Sequence, residues 1–123
     1  MCFFFKKNFN EGESMFIQLR TIVVESGHAE QLAESYAVAG VIDEMPGLID
    51  RTVMVSRKNR ESEEVISMIR WESEEAWKNW EKSPVHLAGH REKRNDAPPS
   101  YILDSSVKMY NVTKVIAGTV AGV

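Results

Sequence analysis

Apolar residues recur along this chain at two different periods, and the switches between them divide it into elements. Phe16 to Val24 (FIQLRTIVV) is rich in β-branched residues and alternates in part, with Ile17, Leu19 and Val23 on one face, as in a half-buried strand. After Ser26-Gly27 the period lengthens to that of a helix, with an apolar stripe at Ala29, Leu32, Ala33, Tyr36 and Ala39 or Gly40, predicting a helix to about Asp43. Pro46-Gly47 marks a turn into a second strand, Leu48 to Ser56. The charged stretch RKNRESEE reads as a hairpin loop, and Val65 to Trp71 as a third strand. A short acidic helix carries Trp77 and Trp80. Ser83 then suits an N-cap and Pro84 the first helical position, so a second short helix is expected over Val85 to Arg91. Asp96-Ala97-Pro98-Pro99 breaks the chain, and Tyr101 to Val115 supplies a last extended segment.

The order strand, helix, strand, strand, helices, strand predicts an α+β fold of the ferredoxin-like kind, an antiparallel sheet with its helices on one face. The opposite face, read as rich in valine and isoleucine, is left bare. A second copy of the chain is the natural cover, so a homodimer is expected.

Composition narrows the function classes. At 123 residues the chain is one domain, and its 43% apolar and 27% charged residues are ordinary for a globular protein. A net charge of −3 argues against nucleic acid, which needs a concentrated basic face. Arg91, Lys93 and Arg94 do cluster, but Glu92 and Asp96 dilute them; the run reads as a solvated helix end, with contact to a ligand carboxylate as the other reading. Cys2 is the single cysteine, which rules out an intramolecular disulfide and points to a reducing cytoplasm. No stretch approaches the roughly 20 apolar residues that cross a bilayer. Residues 1–14 do not share the regular pattern and are expected to be a disordered arm or a non-native extension. The domain is expected over residues 15–115, with 116–123 a loose tail.

Glycine-rich phosphate loops, GxSxG elbows and Cys–His nucleophile pairs are missing from the chain. What remains is the stretch from Trp71 to His90. Trp80 and His90 can share one concave wall although they lie on different helices. A large ring, an imidazole and the missing side chain at Gly89 would seat a flat apolar ligand. Each residue also has a plainer reading: the tryptophans as core, Trp71 above all, and His90 as a surface residue in place of a metal ligand or general base. His86 and His90, four residues apart, form half of a zinc site that nothing in the sequence completes. Arg20 lies mid-strand on the face of Gln18 and Ile22, and is either solvated or aimed into a cavity.

From Met15 to Val115 the chain resembles the IsdG-type heme-degrading monooxygenases of the antibiotic-biosynthesis-monooxygenase superfamily, and within them the HmoA-type enzymes of bacilli. The likeness lies in MFIQLRTIVV, in GLIDRTVMVS and above all in VISMIRWESEEAWKNWEKSPVHLAGH, where Ala88-Gly89-His90 ends ten residues after Trp80. The resemblance implies a dimeric α+β barrel and heme as both substrate and cofactor. It also implies His90 as the iron's proximal ligand and Trp80 as the ring that distorts the porphyrin. Tyr36 would belong to the opposite wall. Where the family has a catalytic asparagine, a gap-free reading anchored at Gly27, Gly47 and His90 places Arg20. A guanidinium also donates hydrogen bonds but is bulkier and permanently charged, so burial near heme demands a partner such as a propionate. The chain has no flavin or nicotinamide motif, so an external electron donor is implied. Two other readings compete: a cofactor-independent monooxygenase acting on a quinol or polyketide phenol, and a heme-binding or sensing protein without turnover.

Overall fold

The side-chain alternation of strand β1 (Phe16–Glu25) decides the arrangement of the whole domain. The computed structural model describes residues 14–57, 59–93 and 97–120, except for the side chains of residues 90–93, so the expectations for residues 1–13 and for the Arg91–Arg94 run lie outside the described residues. β1 pairs antiparallel with β3 (Ser62–Trp71) on one side and with β4 (Ile102–Asn111) on the other, and β2 (Leu48–Val55) completes a four-stranded sheet in the order β2-β3-β1-β4. Helices α1 (Ala29–Tyr36), α2 (Glu74–Glu81) and α3 (Pro84–Lys93) connect the strands. The ferredoxin-like α+β arrangement expected from the element order is the one observed.

Even-numbered residues of β1 face the helices. Phe16 stands opposite Trp71, Ile22 opposite Val65 and Val24 opposite Glu63. The core forms as two clusters on this face. One gathers Ile22, Val24 and Val65 against Ala29 and Leu32 of α1. The other gathers Phe16, Trp71 and Ala76 of α2. Ile22, Val24, Val65 and Trp71 are wholly buried. The three aliphatic side chains each stabilise the fold by roughly 1.5–3 kcal/mol through lost apolar exposure, whereas burial of Trp71 leaves its indole N–H without a described partner and so carries a cost. The opposite face carries Ile17, Leu19, Val23, Ile66 and Met68, interrupted by Thr21 and by an ion pair between Arg70 and Asp50 at 2.6 Å.

Gly47 brings the second cluster together. Its φ of +91° suits glycine, and a β-carbon there would stand 2.5 Å from that of Ala76, so only a bare backbone lets α2 approach. Ser73 caps α2 by accepting from the Ala76 amide at 3.1 Å, and Ser83 caps α3 by accepting from the His86 amide at 3.2 Å.

Three elements differ from expectation. β3 starts at Ser62, inside the stretch expected as a loop, because Glu63 and Glu64 extend the pairing opposite Val24 and Val23. The first helix ends at Tyr36, not near Asp43, and a separate 3₁₀ turn covers Val41–Glu44. Val38 and Gly40 are poor helix formers, and Gly40 is extended at φ −149°. Asp43 accepts from the Gly40 amide at 2.8 Å and starts the new turn. The freed carbonyls of Tyr36 and Val38 find a partner in Arg51 of β2, so tertiary contacts satisfy what the helix gives up. The last strand is also shorter than the expected segment, ending at Asn111.

Candidate active site

Between the two core clusters the helix-facing side of the sheet turns polar. Along β1 the sequence Phe16, Gln18, Arg20, Ile22 runs from one cluster to the other, and its two middle members pack into neither. Gln18 stands opposite Ile69 and Arg20 opposite Ser67. These four residues floor a cavity of about 170 Å³. Tyr36 at the end of α1 and Ile42 in the 3₁₀ turn form one wall; Trp80, Glu81 and His86 form the other.

Two guanidinium groups reach this cavity and differ in how much of their hydrogen-bonding capacity is used. Arg51 donates from Nε to Asp43 Oδ1 at 2.6 Å and from Nη2 to Asp43 Oδ2 and the Val38 carbonyl, each at 2.9 Å. A longer bond runs from Nη1 to the Tyr36 carbonyl at 3.4 Å. The Asp43 carboxyl is held below its usual range, first by the hydrogen bond from Arg51 and then by the Gly40 amide. Arg51 is thus committed to the protein. Arg20 makes no hydrogen bond or ion pair with any described residue, so its charge is available to a ligand.

On the second wall Trp77 and Trp80, three residues apart, divide their tasks. Trp77 packs on Phe16 with ring centres 5.0 Å apart and donates its indole N–H to Gln18 Oε1 at 3.2 Å. Trp80 lines the cavity and meets the His86 ring edge-on at 4.7 Å, while His86 Nε2 lies 3.4 Å from Glu81 Oε2. The apolar ring and the imidazole are adjacent because Ser83 ends one helix and starts the next within a single turn.

Arg20, Tyr36 and Trp80, all expected at the site from the sequence, come together in this cavity. His90 lies on α3 four residues beyond His86, but its side chain lies outside the described residues. Gly89 is not part of the cavity lining, and a β-carbon there would touch no described atom. Trp71 is core, as its plainer reading held. Among the described residues no group of three or more His, Cys, Asp or Glu is placed to hold a metal ion, so His86 gains no zinc partners there. Sequence reasoning missed Gln18, Arg51 and Glu81 as cavity residues. Strand alternation already put Gln18 beside Arg20, but nothing local distinguishes Arg51 from any charged strand residue.

A sheet sheltered by helices on one face, opening between two core clusters into a small polar-floored and aromatic-walled cavity, defines an α+β domain of ferredoxin-like topology. The sequence profile of the antibiotic biosynthesis monooxygenase family matches residues 15–92. The chain belongs to that family. It is 45% identical over 105 residues to the heme-degrading monooxygenase HmoA of Bacillus subtilis, covering 85% of this chain and 97% of that protein. Among solved structures it superposes with a TM-score of 0.74 on a Bacillus cereus protein described as an antibiotic biosynthesis monooxygenase, at 40% identity over 85% of this chain and 99% of that one. The heme-degrader MhuD of Mycobacterium tuberculosis, solved with two hemes in its active site, shares the fold at a TM-score of 0.60 and 20% identity, over 83% of this chain and 99% of its own.

Proposed function

We propose that this chain is a heme-degrading monooxygenase whose substrate enters the cavity between β1, α1 and the α2–α3 corner. The observation that carries the reading is the meeting of Arg20 and Trp80 in one cavity, against the helix that bears His90, in a chain 45% identical to HmoA over 85% of its length.

The residue types fit a heme. Trp80, Tyr36, Ile42 and Ile69 offer apolar and aromatic surface to a porphyrin plane. Arg20 offers an uncommitted guanidinium to a propionate carboxylate. His90 is the residue we assign as iron ligand, with Gly89 beside it. The cavity's volume is below the roughly 300–1,000 Å³ usual for small-molecule sites, so a whole macrocycle requires the α3 wall to move outward. Val85 and Leu87 on α3 are exposed, and such a movement would act against the contacts of His86 with Trp80 and Glu81.

Bound heme supplies the iron that activates O₂, and its porphyrin is itself the substrate that is opened. The protein's part is to hold and shape it. Trp80 would lie against the bound ring, a contact able to bend the macrocycle and redirect its reactivity. Arg20 sets the ring's rotation by fixing a carboxylate. Electrons come from an external donor, a separate reductase or a chemical reductant, because the chain carries no flavin or nicotinamide motif. The active form is a homodimer joined through the sheet face of Ile17, Leu19 and Met68.

The test is spectroscopic. Ferric heme added to the purified protein should give a saturable Soret band, and an electron donor with O₂ should bleach that band and release chelatable iron. A Soret band that persists unchanged with donor and O₂ would reduce the protein to a heme binder. No band at all would leave a cofactor-independent oxygenase.

A further inference from the structure

Gln18 is held in one orientation by a group that can only donate. An indole N–H has no acceptor capacity, so the atom facing Trp77 at 3.2 Å must be the amide oxygen, and the NH₂ group must turn away from it. Gln18 lines the cavity, and no described residue accepts from its NH₂. Its neighbour two residues on, Arg20, shares the strand face and the cavity; along a strand that is a separation of about 6.6–6.8 Å between backbone positions. One NH₂ and one guanidinium without a described partner are therefore donors on two residues that line the same small space. Phe16 backs Trp77 at 5.0 Å, and the Phe16 ring belongs to a buried cluster, so the orienting indole is itself fixed.

We propose that Gln18 is a specificity-determining residue: its NH₂, aimed by Trp77, donates to the ligand carboxylate that Arg20 pairs with. Trp77 is then a positioning residue that acts through Gln18, while Trp80 alone meets the porphyrin. This deepens the heme-degrading reading and rests on it for the identity of the ligand. Two donors on one carboxylate fix its direction as well as its distance, which a single mobile guanidinium does not.

The test compares Gln18→Glu, Gln18→Leu and Trp77→Phe. In the ligand-free protein, ¹H–¹⁵N spectra read the Trp77 indole N–H, assigned by its loss in Trp77→Phe. Gln18→Leu should shift that resonance and speed its exchange, whereas Gln18→Glu, which still offers an acceptor, should leave it protected. Titration with ferric heme then reads the outward-facing group. Gln18→Glu swaps a donor for a negatively charged acceptor and should weaken binding by about tenfold or more, and Gln18→Leu by less. With heme dimethyl ester, which lacks the carboxylate charge, the deficit of Gln18→Glu should shrink. Trp77→Phe should weaken ferric heme binding in the wild-type background and add nothing to Gln18→Leu. A Gln18→Glu variant that binds ferric heme as tightly as wild type overturns the proposal, as does an unmoved indole resonance in Gln18→Leu. A wild-type protein that binds no heme fails the functional reading and takes this ligand assignment with it, while the indole spectra still decide whether Trp77 orients Gln18.

Discussion

Arg51 on β2 grips both carboxylate oxygens of Asp43, at 2.6 and 2.9 Å, across the gap where the first helix has already ended. The same guanidinium takes up the carbonyls of Tyr36 and Val38. One side chain thus closes a connection of irregular backbone into a wall, and that wall presents Tyr36 and Ile42 to the cavity. The planar fork matters here, because a lysine ammonium cannot make two parallel bonds to a carboxylate and still reach two carbonyls.

Arg51→Ala is therefore expected to loosen residues 37–44 more than the rest of the fold. Amide exchange in that segment should rise strongly while exchange in β1 and β3 stays slow, and heme affinity should fall. Arg51→Lys should restore little of either. Uniform exchange rates in wild type and Arg51→Ala would show that the clasp does not organise the wall.

Acid should weaken the domain through two carboxylates. Asp43 is held below its ordinary range by the hydrogen bond from Arg51, and Asp50 by the hydrogen bond from Arg70. A carboxyl whose pKa is depressed by folding contributes stability that is present above its unfolded value and lost as pH falls through its folded value. Denaturant midpoints should hold steady from neutral pH down to the ordinary carboxylate range and decline below it. Asp43→Asn should flatten part of that decline.

His90→Ala should abolish the Soret band of a tightly bound ferric heme, while His86→Ala should keep a band. His86 already packs against Trp80 and pairs with Glu81, so its loss should shift affinity by a smaller factor. An unaltered spectrum and affinity in His90→Ala would remove that residue as the iron ligand.

Arg20→Ala should lower turnover while heme still binds through iron, and Arg20→Asn should retain more activity than alanine because an amide still donates. Loss of a charge-assisted hydrogen bond is worth roughly 1.5–3 kcal/mol, so the heme dissociation constant should rise by about ten- to a hundredfold. Rates equal to wild type in both variants, at matched heme occupancy, would take Arg20 out of the site.

Leu19→Glu places a charge on the uncovered sheet face, opposite Met68. If that face joins two subunits, light scattering should report a monomer for the variant and a dimer for the wild type, with thermal stability falling in parallel. An equal mass for both would move the subunit contact elsewhere.

The sequence carried the strands, the two short helices and the topology because those follow from local rules. β1 alternates over Phe16–Glu25, Pro46-Gly47 makes a turn, and Ser73 and Ser83 cap helices by hydrogen bonds to amides a few residues away. It also proposed Trp80 for a site from its place beside the helix break, while Tyr36 entered only through the resemblance and Arg20 through the resemblance and its odd position among apolar neighbours. None of that required knowing what lies across the sheet.

Where the outcome depended on partners distant in sequence, local reading failed. The apolar stripe to Ala39 or Gly40 predicted a longer first helix, and the competing arrangement won because Arg51, in another strand, satisfies the carbonyls that an early helix end exposes. Gln18 looked like a neutral strand residue until Trp77, 59 positions away, fixed which end of its amide faces the cavity. The two arginines of the site are chemically identical in sequence, and only the fold commits Arg51 to Asp43 while leaving Arg20 free among the described residues. Periodicity and capping are properties of neighbours in the chain, so the sequence alone determined the elements and their order. The direction of an amide and the availability of a charge are properties of neighbours in space, and the tertiary structure alone decided them.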